Sequence, residues 1–457
     1  MSDPSPRSIA ILGAGITGLT AAHRLATLGH RVRVFEKSDR IGGAIRTEHT
    51  DGWLIEQGPN SLLAGDPLVD ALIREVGLEP ERRAANPLAR RRYLVRDGQP
   101  IAVPSSPRDL LKSRLFSFRA KARLLREFFA RPRQRKADLS LADFVRQHFG
   151  PEFVDYALNP IVNGVYAGDP AKLSAREAFP SLWEWERTHG SLLRGQLAAT
   201  KAQRARHEPP AEIISFRRGL QTLPEALAAR LPADAIRLNA RVETLTHTPE
   251  WKVIWNDGHG VHSETFDQVI AALPAAGLAG LRFGMRGERP LASLDAIDHP
   301  PLASLFLGYR RDQVAHPLDG FGMLIPEVEQ RTILGVLFSS TLFPGRAPDG
   351  MVALTVMVGG ARHRTIAGLD AEALLAKVQP DLSALLGVSG APVFSRHHAW
   401  PRAIPQFNVG HERFREAIAA CERRHPGLFI GGQAHDGIAL PTCIRAGEKL
   451  AEQVRLG

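Results

Sequence analysis

The chain opens on a short apolar run, Ser8 to Gly13 (SIAILG), that ends in glycine and reads as a buried parallel strand. Ile16 to Leu28 follows with Leu19, Ala22 and Leu25 at helical spacing, and Gly29 stops it. Arg31 to Glu36 (RVRVFE) alternates and is β-branched, which predicts a second strand and βαβ order. From Pro107 to Phe149 the apolar positions turn helical: Leu110, Leu111, Leu115, Phe118, then Leu124, Leu125, Phe128 and Phe129. Pro132 breaks the pattern, and Ser140 is placed to cap a helix carrying Leu141, Phe144, Val145 and Phe149. Residues 211–275 return to strands (IISF, RLNARVETLT, WKVIW, QVIAAL). Residues 302–310, 321–325, 333–338 and 351–358 also read as extended. The C-terminal stretch holds a strand (LFIGG), a Gly/Pro-rich turn and a helix from Cys443 to Val454. No internal repeat or low-complexity segment interrupts this order.

Length and composition narrow the picture. A chain of 457 residues exceeds one ordinary core, so two or three domains are expected. Its apolar and charged fractions exclude the disordered and fibrous classes. Cys421 and Cys443 lack metal-ligand spacing, so neither a metal site nor a disulfide framework is expected, and a reduced, cytoplasmic setting fits. The opening MSDPSPRS has no apolar signal core, and no uninterrupted apolar run is long enough to span a bilayer. Residues 90–136 carry 15 Lys/Arg against three acids, more than the whole net charge of +10. A solvated basic face, a nucleic acid or a membrane surface could account for this, and no nucleic-acid motif accompanies the charge. Phe116, Phe118, Leu124, Leu125, Phe128 and Phe129 are interleaved with Arg114, Arg119, Lys121, Arg123 and Arg126, a pattern suited to a lipid headgroup layer.

The chemistry begins at Gly13-Ala14-Gly15-Ile16-Thr17-Gly18, a G-x-G-x-x-G between strand and helix. Gly13 makes the tight turn, Gly15 lets backbone approach a pyrophosphate, and Gly18 permits close helix–strand packing. The helix N-terminus offers free N–H groups and partial positive charge to phosphates. Glu36 ends the second strand, where a carboxylate accepts from a ribose diol and repels a 2′-phosphate. Then comes Arg40-Ile41-Gly42-Gly43-Ala44-Ile45-Arg46. Gly42 and Gly43 let backbone lie beside the cofactor, and Arg40 and Arg46 can reach phosphate oxygens.

Residues 9–61, through Glu56-Gln57-Gly58-Pro59-Asn60, resemble the flavoprotein superfamily of amine oxidases, carotenoid desaturases and protoporphyrinogen oxidases. That resemblance implies FAD, held without a covalent bond. It places the backbone of Val242 at the adenine and adds Gly58 and Trp400 to the cofactor contacts. It puts Gly431 and Gly432 near the ribityl chain, and gives N–H donors from Gly437, Ile438, Ala439 and Leu440 to the flavin. Three blocks are similar to protoporphyrinogen oxidases in particular: Trp400 to His411 (WPRAIPQFNVGH), Thr332 to Pro348 (TILG…SSTLFPGRAP), and Asn163 to Asp169 (NGVYAGD). Phe407 stands where that family more often has tyrosine.

That family oxidises a non-planar tetrapyrrole to the aromatic macrocycle, with dioxygen as acceptor. The resemblance implies a propionate partner at Arg92, one of three consecutive arginines. Phe321, Leu324 and Phe343 would sandwich the ring, the Gly164 backbone would line the cavity opposite the flavin, and Asn60 would lie nearby. No catalytic side chain beyond FAD is required, because hydride transfer needs chiefly a held C–H. The helical insert would sit peripherally on a membrane, and a homodimer and a ferrochelatase contact are the remaining partner expectations. Coproporphyrinogen III oxidation, an amine oxidase and a non-catalytic porphyrin carrier stay open as alternatives. With only four tyrosines, none near the C-terminal motif, an amine-oxidase aromatic cage is disfavoured.

The expected architecture is α/β (α+β overall). A Rossmann-type FAD domain combines 1–85, 213–275 and 396–457. A mixed-sheet substrate domain takes 86–106 and 276–395, and a helical, membrane-associating insert takes 107–212.

Overall fold

The computed structural model describes residues 6–206 and 211–456. Residues 1–5, which carry part of the signal-segment reading, lie outside the described residues, as do 207–210 and 457. The nucleotide domain is built on five parallel strands: β1 (Ser8–Leu12), β2 (Arg31–Phe35), β3 (Ile236–Arg237), β4 (Gln268–Ala271) and β5 (Leu428–Ile430). Their order is β3-β2-β1-β4-β5, so the chain reverses direction of winding between β1 and β4. Ligands of open α/β sheets bind at that switch point, outside the carboxyl ends of the strands. β1 is central and fully buried from Ile9 to Leu12, which is why it reads as an unbroken apolar run.

Helix α1 (Ile16–Thr27) returns from β1 and packs against the closing helix Leu440–Leu456. The two approach closely because Gly447 faces Thr17 and Thr20, where a Cβ would stand 2.5 Å from the Thr17 carbonyl oxygen. The closing helix starts three residues before the expected Cys443. Pro441 looked like a turn residue, but it occupies the second helical position, where its missing N–H costs nothing.

The second domain is a seven-stranded mixed sheet. Its spatial order is Phe394–Trp400, Leu302–Arg310, Met351–Gly359, Ile333–Leu337, Gly320–Leu324, Arg91–Arg96, Gln99–Ala102. Gly320–Leu324 runs parallel to Arg91–Arg96, and the other pairings are antiparallel. The last nucleotide-domain segment was expected to open at 396, within the strand Phe394–Trp400. That strand pairs with Leu302–Gly308, at the edge of the seven-stranded sheet. Only the long-range register, absent from local pattern, decides this.

The insert is helical, with α2 (Phe118–Glu127), α3 (Leu141–Phe149), α4 (Asn159–Tyr166) and α5 (Leu192–Ala205) among its elements. Ser140 caps α3 as expected, accepting from the Asp143 N–H at 3.1 Å. Phe118, Leu125 and Phe129 form one outward stripe, 85%, 70% and 78% exposed.

Glu127, at the end of α2, is buried and latches that helix to its neighbours. Its carboxylate accepts from the Leu192 N–H (2.6 Å) and the Ser191 hydroxyl (2.8 Å), and meets His148 Nδ1 at 3.1 Å. Burial works to raise the Glu127 carboxyl. His148, the Leu192 N–H and the Ser191 hydroxyl outweigh it, so the pKa lies below the ordinary 4.5. A depressed folded value means the latch stabilises fully above the unfolded value and is lost as pH falls through the folded one. Hydrogen exchange over 118–127 should therefore stay slow at neutral pH and accelerate below pH 4.5, ahead of the parallel sheet. Protection that falls in both regions together at acid pH would contradict the latch.

Candidate flavin site and substrate chamber

Gly13 adopts φ +101° to turn the chain from β1 into α1, a conformation side chains resist. A Cβ on Gly18 would collide with the Gly13 carbonyl oxygen, so this glycine is fixed by the fold itself. Gly15 differs: a Cβ there would meet nothing within 4 Å. Its outer side is open space at the helix N-terminus, where the first N–H groups have no intrahelical partner. The Gly42–Gly43 loop lies against this turn. The Gly42 N–H donates to the Ala14 carbonyl at 2.8 Å, and Gly43 would bring a Cβ within 3.2 Å of the Gly15 Cα.

Glu36 is buried at the tip of β2. It accepts from the Ala14 N–H (2.9 Å), the Ser38 N–H (3.0 Å) and the Ser38 hydroxyl (2.7 Å). A carboxylate has about four acceptor sites, so one direction stays free for a ribose hydroxyl. The two arginines expected at phosphate are used differently. Arg40 braces the loop from within, donating to the carbonyls of Ile41, Gly43 and Ile45 at 2.6–3.1 Å. Burial, then neighbouring Arg46, lowers its pKa. Arg46 is exposed and makes no ion pair with the described residues. Gly58 packs so closely on Ala44 that a Cβ would overlap its carbonyl oxygen, and Trp400 donates its indole N–H to Gln57 at 3.1 Å. Val242 lies just past Ala240, whose N–H donates to the Glu36 carbonyl at 2.8 Å.

The C-terminal motif arrives at the same place. The Thr17 hydroxyl in α1 donates to the Cys443 carbonyl at 3.0 Å. Thr17 is also the nearest neighbour of the open side of Gly432, 3.8 Å from where a Cβ would stand. The Gly432 N–H is held by the Asp436 carboxylate at 2.7 Å. Gly437, Ile438 and Ala439 then lead into the closing helix at Leu440, whose first-turn N–H groups lack intrahelical partners. Two helix N-termini from opposite ends of the sequence thus converge on one space. Gly15 and Gly432 face it without side chains. These residues fit FAD.

Strand geometry distributes the three arginines. Arg91 and Tyr93 turn to one face and both bind Asp319, Tyr93 through a 2.6 Å hydrogen bond. Arg92 takes the opposite face, its guanidinium 5.5 Å from the Phe321 ring centre and without an ion pair among the described residues. A bulge between Gly320 and Gly322 makes this possible, since it shifts Phe321 out of strict alternation. Phe321 and Phe343 join one apolar cluster with Ala89 and Leu342. Leu324 sits beside α4, where Gly164 has no room for a Cβ because of the Leu324 side chain. Asn60 donates to the Gly58 carbonyl at 3.2 Å, at the edge between the two domains.

Sequence reasoning missed Arg346 and Glu56, a buried pair 3.3 Å apart. Burial pushes the Glu56 carboxyl up, and Arg346 pulls it back. One signal was available: Glu56 ends the wholly buried strand Trp53–Glu56, and a buried carboxylate must be paired. His411 is buried against the Ala434 carbonyl at 3.3 Å, a structural position. No cluster of three or more metal-ligating side chains occurs among the described residues.

A strand–glycine turn–helix with a terminal acid, met by a second helix start, defines a dinucleotide-binding flavoenzyme. The chain belongs to the flavin-containing amine oxidoreductase family, whose model matches residues 16–455. It is an FAD-dependent oxidoreductase. Within that family it is similar to protoporphyrinogen oxidases over its full length. It is 32% identical to protoporphyrinogen oxidase 2 (chloroplastic/mitochondrial) of Arabidopsis thaliana, covering 98% of this chain and 94% of that one. It is 33% identical to the mitochondrial protoporphyrinogen oxidase of Nicotiana tabacum, covering 98% and 95%. Coproporphyrinogen III oxidase of Bacillus subtilis is 28% identical, covering 98% and 97%. A solved structure from Exiguobacterium sp. 255-15, provisionally described as a protoporphyrinogen oxidase, superposes with a TM-score of 0.82 at 22% identity and full coverage of both chains.

Proposed function

We propose that this enzyme oxidises protoporphyrinogen IX to protoporphyrin IX, with dioxygen as final acceptor, late in porphyrin biosynthesis. One observation supports the reading most: the Arg92 guanidinium, without an ion pair among the described residues, lies 5.5 Å from the ring centre of Phe321, which shares an apolar cluster with Phe343. A flat greasy ring bearing carboxylates needs that combination. FAD, when bound, supplies the hydride acceptor, and three hydrogens leave as hydride equivalents and three as protons. The chain's own part is to seat the ring, hold one propionate at Arg92, and keep water from the reacting face. Aromaticity of the product drives proton loss, so no catalytic side chain is assigned. Anaerobic bleaching of the flavin by protoporphyrinogen IX, then porphyrin fluorescence with oxygen uptake, tests the reading; a flavin that stays yellow refutes it.

Coproporphyrinogen III is the second reading. Arg90 favours it, being exposed and without an ion pair among the described residues, so it could meet an additional carboxylate. Comparing kcat/KM for the two porphyrinogens decides.

The insert is proposed to rest on a membrane surface. No described helix is long and apolar enough to cross one. The Phe118, Leu125 and Phe129 stripe is flanked by exposed Arg119 and Arg126, which suits anionic headgroups at about 1 kcal/mol per cation. Replacing Phe118, Leu125 and Phe129 together by Ser should weaken flotation with anionic vesicles by about 100-fold or more, at about 1.5 kcal/mol per lost side chain. Rising salt should release the unaltered enzyme. Failure of the unaltered enzyme to float at low salt defeats the proposal.

A further inference from the structure

We propose that Arg346 is a positioning residue that sets the Phe343 face of the substrate chamber in register with the cofactor loop; this rests on the tetrapyrrole reading above. Arg346 is only 3% exposed, yet its guanidinium serves several elements at once. Nη2 donates to the Ser215 hydroxyl (2.9 Å), the Asn60 carbonyl (3.2 Å) and the Glu56 carboxylate (3.3 Å). The guanidinium carbon also lies 4.6 Å from the centre of the Phe343 ring, three residues earlier in the chain. Gly345, at φ +89°, provides the reversal that folds the arginine back over that ring.

The pairs behind Arg346 lead to the cofactor loop without a break. Glu56 accepts from the Thr47 hydroxyl at 2.7 Å and the Leu220 N–H at 2.8 Å. The same Thr47 oxygen accepts from the Gln221 N–H at 3.1 Å. The Gln221 side chain donates to the Ile41 carbonyl at 3.5 Å and packs against Gly42. The path from Gly42 to Phe343 is therefore one chain of directional contacts crossing between the domains. A buried ion pair adds little net stability over apolar packing, because desolvating both charges offsets their attraction. What this one fixes is direction. A lysine ammonium could also offer donors at that one point, but it has no flat cationic face to lay on the Phe343 ring, which arginine has.

The test uses purified holoenzyme. Arg346→Lys keeps a charge beside Glu56 but loses the flat face over Phe343. Arg346→Met combined with Glu56→Gln removes the pair without leaving a buried charge behind, in case the lysine variant folds poorly. Both should keep their flavin, with FAD affinity and melting temperature near those of the unaltered enzyme. KM for protoporphyrinogen IX and the Kd for protoporphyrin IX, read by fluorescence titration, should rise up to about 30-fold, the size of a desolvated cation–π contact. Adding Phe343→Leu to either should cost little more, because the arginine acts through that ring. Unchanged KM and Kd, or effects of the two sites that simply multiply, overturn the proposal. If the unaltered enzyme neither turns over protoporphyrinogen IX nor binds the porphyrin, the substrate reading fails first and takes this inference with it. Turnover by the unaltered enzyme with indifferent variants sinks Arg346 alone.

Discussion

Gly15→Val is expected to give a folded chain that no longer holds FAD. The Cβ of the added side chain has open space, with no atom beyond its chain neighbours within 4 Å. Only something occupying that space can object to it, and the groups lining it are a helix start and the backbone of Gly43. Displacing a pyrophosphate from two helix-end N–H groups forfeits about 1.5 kcal/mol each, so affinity should fall by about 100-fold or more. Gly18→Val is the informative contrast. There the side chain strikes the Gly13 carbonyl oxygen, and the fold itself should suffer, with a lowered melting temperature even without flavin. Thermal unfolding of the apoproteins, followed by FAD titration, separates the two outcomes. A Gly15→Val protein that leaves gel filtration with stoichiometric flavin would show that the space serves something else.

Arg92→Ala should lower kcat/KM for porphyrinogen by about 100-fold, the loss of a two-pronged charge-assisted contact at about 1.5 kcal/mol per bond. Arg91→Ala, one residue away, should change it only a few-fold, because Arg91 faces the other side and binds Asp319. Arg92→Lys should recover part of the loss, retaining charge but not the fork. Steady-state kinetics on the three variants is the measurement. Equal losses for Arg91 and Arg92 would mean that alternation along Arg91–Arg96 does not determine which guanidinium meets the substrate.

The βαβ unit was legible because its signals are local: an unbroken apolar run, a helical stripe and a glycine turn lie side by side in sequence. The convergence of the chain's two ends at one cofactor was legible only through resemblance, since nothing in local pattern relates Thr17 to Cys443. Where pairing is long-range, local pattern is silent: the strand Phe394–Trp400 went unread, and its neighbour is Leu302–Gly308. Arg40 shows a different limit. Its position beside a glycine loop suggested a phosphate ligand, but a guanidinium with five donors can equally tie up loop carbonyls, and does. The Glu56–Arg346 pair joins residues 290 apart, and only the apolar run before Glu56 hinted that it needed a partner. The bulge that brings Phe321 to Arg92 depends on the Gly320–Gly322 register, which alternation alone would have set the other way.

The hydrogen bond from Thr17 to Cys443 spans 426 residues. A ribosome must therefore translate past Cys443 before this contact can form. Products terminated before Cys443 are expected to lack the second half of the nucleotide grip, and so to be colourless and open to proteases. Riboflavin scarcity should show itself as shortened lifetime of finished protein and not as slowed synthesis.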